Sequence, residues 1–240
     1  HWHGQCAGRS IIAQIHFSHF PETVFMPRKP ASAQADTLQD IRDGAFALFG
    51  RYGYDGVSID DIAKAAGLSK GALYWHFKGK DELFLDCLRR LHAIFQEHVF
   101  DRMLREQDAI LRILGFFQGM ELLLRDPRIQ AGVAGYWLGI GNASLPVINQ
   151  TQQAFEQRTS QILREALQLA MTQGSLDLRG DLDDMSRAIV AIMEAIILPL
   201  RQQGPDEVHR TLGVLARALL RAYSKDERIV SVADKVLTLK

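Results

Sequence analysis

The stretch SIDDIAKAAGLSKGALYWHFKGKDELF, Ser58 to Phe84, restricts what this chain can fold into more than any other. It reads as two short helices joined by a turn, followed by the start of a third. Ser58 stands before the periodic apolar residues Ile59, Ile62, Ala63 and Ala66, with Asp61 three positions on. That spacing predicts a capping box, in which hydroxyl and carboxylate each satisfy an orphan backbone amide. Asp60 and Asp61 also lie where the helix dipole favours negative charge. Gly67 follows the last periodic residue, where a left-handed backbone ends a helix with least strain. Ser69 then caps a second helix that buries Leu68, Leu73 and Phe77 and turns Lys70, Gly71, Ala72, Tyr74, Trp75 and His76 outward. Two helices held by a glycine-containing turn form the helix-turn-helix unit, whose second helix enters the major groove of DNA.

The outward face suits a duplex. From Leu68 to Lys80 there are three lysines and no carboxylate, so the local field is positive although the whole chain has a formal net charge of zero. Gly71 and Ala72 are small enough to let the backbone approach base edges, and an alanine methyl packs on thymine. Tyr74, Trp75 and His76 offer donors and flat surfaces to phosphates and sugars, while the lysines neutralise backbone charge. An ordinary helical hairpin with a solvated face would have no use for two exposed aromatic rings.

The run GYDGVSIDDIAKAAGLSKGALYWHFKGKDELF resembles the DNA-binding region of the tetracycline-repressor (TetR) family of bacterial regulators. The likeness extends without gaps over about Leu38 to Phe84, and LYWHFK at Leu73 to Lys78 is its most specific part. The resemblance implies an all-helical homodimer with a three-helix reading head and a larger effector-binding body. It places DNA contacts at Ser58, Ser69, Lys70, Gly71, Ala72, Tyr74, Trp75, His76 and Lys80. Beyond Phe84 the family diverges, and the resemblance says nothing about the ligand.

Residues 1 to 25 look unlike the rest: His1, His3, His16 and His19 fall in a segment without the pattern of a secretory signal. Their spacing matches no tetrahedral metal site. Met26, followed by PRKPASAQAD, reads as a natural start, and residues 1–34 are expected to form a disordered extension whose Arg28 and Lys29 could reach a minor groove. From Leu38 the helical period begins, with Leu38, Ile41, Ala45, Leu48, Phe49 and Tyr52 on one face. No alternating run follows Phe77, which excludes the β-hairpin of a winged helix. The expected organisation is therefore all-α, with a DNA-binding domain at 35–81, a ligand-binding and dimerisation domain at 82–224, and a loosely docked tail at 225–240.

In the body, a rod from Gly79 is expected to bury Leu83, Phe84, Cys87, Leu88, Leu91, Phe95 and Val99. Helices follow from about Glu106 to Leu124, Pro146 to Thr172, Asp181 to Gln202 and Pro205 to Tyr223, with a break at Asp126-Pro127. Gly132, Gly135, Gly139 and Gly141 loosen the segment around Trp137. The first of the last two helices is too apolar for burial on one side, and an apolar stripe lines the second. Ile189, Ile192, Met193 and Ile196 on one, with Leu212, Leu215 and Leu219 on the other, predict a four-helix homodimer interface. Rings, small residues and polar groups mix around Phe116, Phe117, Met120, Glu121, Tyr136 and Trp137, which predicts an effector pocket there.

Other chemistries find little support. The apolar run Ala188 to Leu200 is too short to cross a bilayer and contains Glu194. Gly139-Ile-Gly141 lacks the strand and third glycine of a dinucleotide loop. No nucleophile–base pattern appears, and the two cysteines, Cys6 and Cys87, have no metal or disulfide spacing. No cofactor, metal site or membrane association is expected. The sequence reads as a cytoplasmic, ligand-responsive regulator, a repressor that binds a pseudo-palindromic operator in double-stranded DNA and is released by a small hydrophobic effector. A regulator without an effector and a helical protein-interaction module are the alternatives.

Overall fold

The computed structural model describes residues 34–138, 146–197 and 205–225. Residues 1–33 of the predicted extension 1–34, Gly139, Gly141 and residues 226–240 of the predicted tail lie outside the described residues, as do the side chains of Leu138, Ile196 and Ile197.

All regular elements among the described residues are helices. The first, α1 (Gln34–Tyr52), lies behind α2 (Ile59–Ala65) and α3 (Lys70–Tyr74), and α4 (Lys80–Phe95) leads away from them. Ile41, Ala45, Phe49, Ile62, Leu73 and Phe77 are buried together, so the apolar period of α1 does what its spacing predicts. Phe46, on a second face of α1, is also buried. Crossed ion pairs fasten α1 to α4: Arg42 Nε to Asp86 Oδ2 at 2.9 Å and Arg90 to Asp43 at 2.6 Å.

The rod runs on from α4 through one π turn, Gln96–Phe100, into α5 (Asp101–Arg105). Helix α6 (Ala109–Arg125) starts later than its composition suggests. The Asp108 carboxylate accepts from the amides of Ile110 and Leu111 and so sets its first turn, leaving Glu106 to end α5. At Asp126-Pro127 the chain breaks as expected, because the Asp126 carboxylate caps the short α7 (Pro127–Gln130) and Pro127 occupies its first position. After α8 (Gly135–Leu138) come α9 (Pro146–Thr172), α10 (Leu182–Ile197) and α11 (Pro205–Tyr223). Helix α10 packs along α9, and α11 packs on α6.

Head and body share one continuous core. Tyr136 of α8 is fully buried against the reading head, with its ring 5.4 Å from Phe46 and 5.5 Å from Phe84. Its hydroxyl donates to the Phe46 carbonyl at 3.0 Å. Gly132 and Gly135 do not loosen this segment. Gly135 and Gly50 let the two backbones lie directly together, since a Cβ on Gly135 would fall 2.1 Å from the Phe49 carbonyl oxygen and one on Gly50 only 1.9 Å from that of Gly132, while Gly132 supplies a φ of +114.

Candidate nucleic-acid interface and effector site

The reading unit is built by its caps. Ser58 Oγ accepts from the Asp61 amide at 3.1 Å, and the Asp61 carboxylate accepts from the Ser58 amide at 2.9 Å. That bonding holds the Asp61 carboxyl below its usual pKa. Gly67 takes φ +69, turning the chain into Ser69, whose Oγ accepts from the Ala72 amide at 3.2 Å. With Leu73 and Phe77 anchored in the core, Trp75 stands 89% exposed and Tyr74 48% exposed. Gly71 is exposed, Ala72 and His76 are half-buried, and Lys70 makes a surface ion pair with Asp60 at 3.1 Å. Such exposed pairs contribute little, so Lys70 can exchange its carboxylate for a phosphate.

Two of the sequence-selected contacts serve the fold. The Lys80 ammonium donates to the carbonyls of Tyr54 and Val57 at 3.0 and 3.1 Å and sits 4.0 Å from the centroid of the Tyr54 ring. Tyr54 in turn donates its hydroxyl to Asp81. Lys80 therefore holds the turn between α1 and α2. The Ser58 hydroxyl is likewise engaged at both ends, since it also donates to Asp61 Oδ2 at 2.6 Å. Lys78, one of the three lysines of the positive stretch, lies beside this face with its side chain exposed, although the family resemblance placed no contact there.

In the body, an apolar cavity of about 50 Å³ opens between α5, α6, α9, α10 and α11. Phe116 and Phe117 line it, joined by residues that no local pattern singles out, among them Met103, Leu163, Met185 and Leu176. The other expected pocket residues are placed elsewhere. Met120 is buried outside the lining. Glu121 accepts from Arg125 at 2.8 Å and lies 3.5 Å from His209 Nδ1. Tyr136 is packed into the reading head, because its ring and hydroxyl match α1. Trp137 donates from Nε1 to Glu194 Oε1 at 3.2 Å, and burial together with the nearby Glu156 raises the Glu194 pKa.

The residues expected at a dimer interface also separate. Met193 and Leu212 are 4% and 2% exposed, which makes them core of the single chain. Ile189 and Leu219 line the cavity, and Leu215 packs half-buried on the core. Ile192 is exposed, and so is Val214 of α11 at 60%, a residue that the apolar stripe did not include. Successive residues of a helix point about 100° apart, so neighbours such as Ile192 and Met193 cannot share a face.

A sequence model described as bacterial regulatory proteins, tetR family, matches residues 41–87, the stretch from α1 into α4. Residues 41–87 belong to the tetR family. Over 59 residues it is 48% identical to the HTH-type transcriptional regulator AcrR of Shigella flexneri, a match spanning 25% of this chain and 27% of that protein. Along most of its length it is 25% identical to the probable acrEF/envCD operon repressor of Escherichia coli strain K12, covering 86% of this chain and 96% of the repressor. Among solved structures it is similar to SmeT in a complex with triclosan, with a TM-score of 0.64 and 25% identity over 80% of this chain and 93% of SmeT. All the sequence-selected DNA contacts fall inside the matched residues, whereas every residue lining the cavity falls outside them. The named relatives are regulators of transcription. No helix among the described residues is long and apolar enough to cross a membrane, and no group of three or more His, Cys, Asp or Glu among them could hold a metal ion.

Proposed function

We propose that this protein is a homodimeric repressor that grips a pseudo-palindromic operator through α3 and releases it when a small hydrophobic effector enters the apolar cavity. The observation that carries the reading is the reading unit itself: two capped helices present Lys70, Gly71, Ala72, Tyr74, Trp75 and His76 outward on a buried support. A repressor among its relatives and a triclosan complex of another favour the same assignment. In this reading 35–81 is the DNA-binding domain, 82–224 the effector and dimerisation domain, 1–34 an extension and 225–240 a tail. The dimer forms through the exposed side of α10 and α11, around Ile192 and Val214. Two such subunits set their reading helices about 34–36 Å apart, in successive major grooves.

Transmission runs through adjacent residues. Tyr136 is bonded to α1 and Trp137 to α10, so a shift of α10 on ligand entry pulls directly on the reading head. An effector acts only through its different affinity for the two arrangements, and the bonds at Tyr136 and Trp137 couple them. The test is selection of genomic fragments by the purified protein, followed by anisotropy with the selected operator. Two-fold related half-sites, loss of binding in Ala72→Asp at unchanged melting temperature, and release by a neutral hydrophobic compound are expected. Selected fragments without repeated half-sites, or normal binding by Ala72→Asp, would refute the assignment.

A further inference from the structure

The cavity of about 50 Å³ is far smaller than the roughly 300–1,000 Å³ that a bound small molecule occupies, so a wall has to yield when one enters. Helices α5, α6, α9, α10 and α11 supply most of the lining. The remaining wall is the loop from Gly174 to Gly180, which lays Leu176 and Leu178 over the cavity with both side chains buried. This loop has glycine at both ends, with φ of +71 at Gly174 and +148 at Gly180, and nothing lies within 4 Å of the Cβ position at either. Beyond the Ser175 and Leu176 amides, which donate to the Ala170 carbonyl at 2.8 and 3.3 Å where α9 ends, its attachment is slight. The Asp177 amide donates to the Tyr223 carbonyl at 2.8 Å, and the Lys225 amide donates to the Ser175 carbonyl at 3.2 Å. These two bonds form the isolated bridge Leu176–Ser224, beside an exposed ion pair of Lys225 and Asp177 at 3.6 Å. Displacing a helix would break packing along its whole length, whereas swinging the loop out breaks this bridge and uncovers two leucines.

We propose that the loop 174–180 is the entrance to the effector site, that residues 223–225 latch it, and that the molecule admitted is neutral and predominantly hydrocarbon. The lining contains no Asp, Glu, Lys, Arg, His or amide side chain, and the surface it presents is almost wholly apolar. A charge carried inside would have no partner, which burial penalises heavily. The inference rests on the cavity being the effector site.

The experiment uses the full chain with Cys6→Ser, since the remaining Cys87 is buried and burial pushes its thiol pKa up to about 12. Ser175→Cys and Lys225→Cys are added together. Neither residue lines the cavity, and their backbones are one hydrogen bond apart. The neutral dye N-phenyl-1-naphthylamine is followed by stopped-flow fluorescence, with Leu167→Trp, which fills the cavity, as the locating control. The reduced pair should take up and release dye at the parent rates, and the oxidised pair at least tenfold more slowly. Where the disulfide does not close, Lys225→Pro serves instead. It removes the amide that donates to Ser175 and should speed both rates about fivefold, the worth of one such bond. Rates unaffected by oxidation or by Lys225→Pro would overturn the entrance alone. Dye that fails to bind the parent, or that binds Leu167→Trp equally well, would overturn the effector site itself.

Discussion

Replacing Gly135 by alanine should separate the reading head from the body. The new methyl would stand 2.1 Å from the Phe49 carbonyl oxygen, 2.5 Å from the Gly53 amide nitrogen and 2.9 Å from the Gly50 carbonyl oxygen. All three are backbone atoms, which cannot rotate aside as a side-chain tip would. Helices α1 and α8 must therefore part by roughly 1 Å, and overpacking of this kind costs up to about 3 kcal/mol. Parting them also draws the Tyr136 hydroxyl from the Phe46 carbonyl, a bond worth about 1 kcal/mol. For a chain of this size each kcal/mol lowers the melting temperature by about 2–4 °C, so a fall of up to roughly 16 °C is expected. Gly79→Ala is the control: φ there is 169°, an extended conformation open to any residue, and nothing lies within 4 Å of its Cβ position. Calorimetry measures both melting temperatures, and operator anisotropy measures how much effector each variant needs for release. Gly135→Ala should also require more effector, since α8 no longer pulls on α1. A melting temperature within 1 °C of the parent would refute the close packing of the two helices.

Three further outcomes follow from the same contacts. Lys80→Ala should lower stability by about 1–3 kcal/mol and leave the salt dependence of operator binding nearly unchanged, whereas Lys78→Ala should reduce that slope by about one counterion, as titrations at several salt concentrations will read. Glu194 has a raised pKa in the folded chain, so its favourable contribution is complete below its ordinary value of 4.5 and is lost as pH rises through the folded value. Glu194→Gln should accordingly melt higher than the parent at pH 7 and lose that advantage at pH 4, and the reverse order would contradict the burial of the carboxylate. Val214→Glu should yield monomers of normal stability by light scattering, because Val214 is exposed, whereas Met193→Ala should lower stability by about 2–5 kcal/mol.

The reading unit was legible residue by residue because its determinants are local. A serine cap, a carboxylate three residues later and a glycine at the stop act within one helical turn, and the structure has all three at Ser58, Asp61 and Gly67. The same holds for α9, whose limits at Pro146 and Thr172 match its apolar period, and for the break at Asp126-Pro127. Orientation was not legible. Helix α10 is apolar on more than one face and α11 carries apolar residues such as Val214 beside its stripe, so composition left several inward faces open, and packing on α9 and α6 decided that Met193 and Leu212 go in while Ile192 and Val214 stay out. Lys80 was indistinguishable from a phosphate contact until the turn at Tyr54 and Val57 supplied two carbonyls for it. Tyr136 resembled a pocket aromatic until α8 was laid against α1, and the cavity exists only where five helices and a loop converge. Caps and turns depend on atoms a few residues apart, which the order of residues specifies. The partner of a side chain depends on elements tens of residues away, and only the folded chain brings those together.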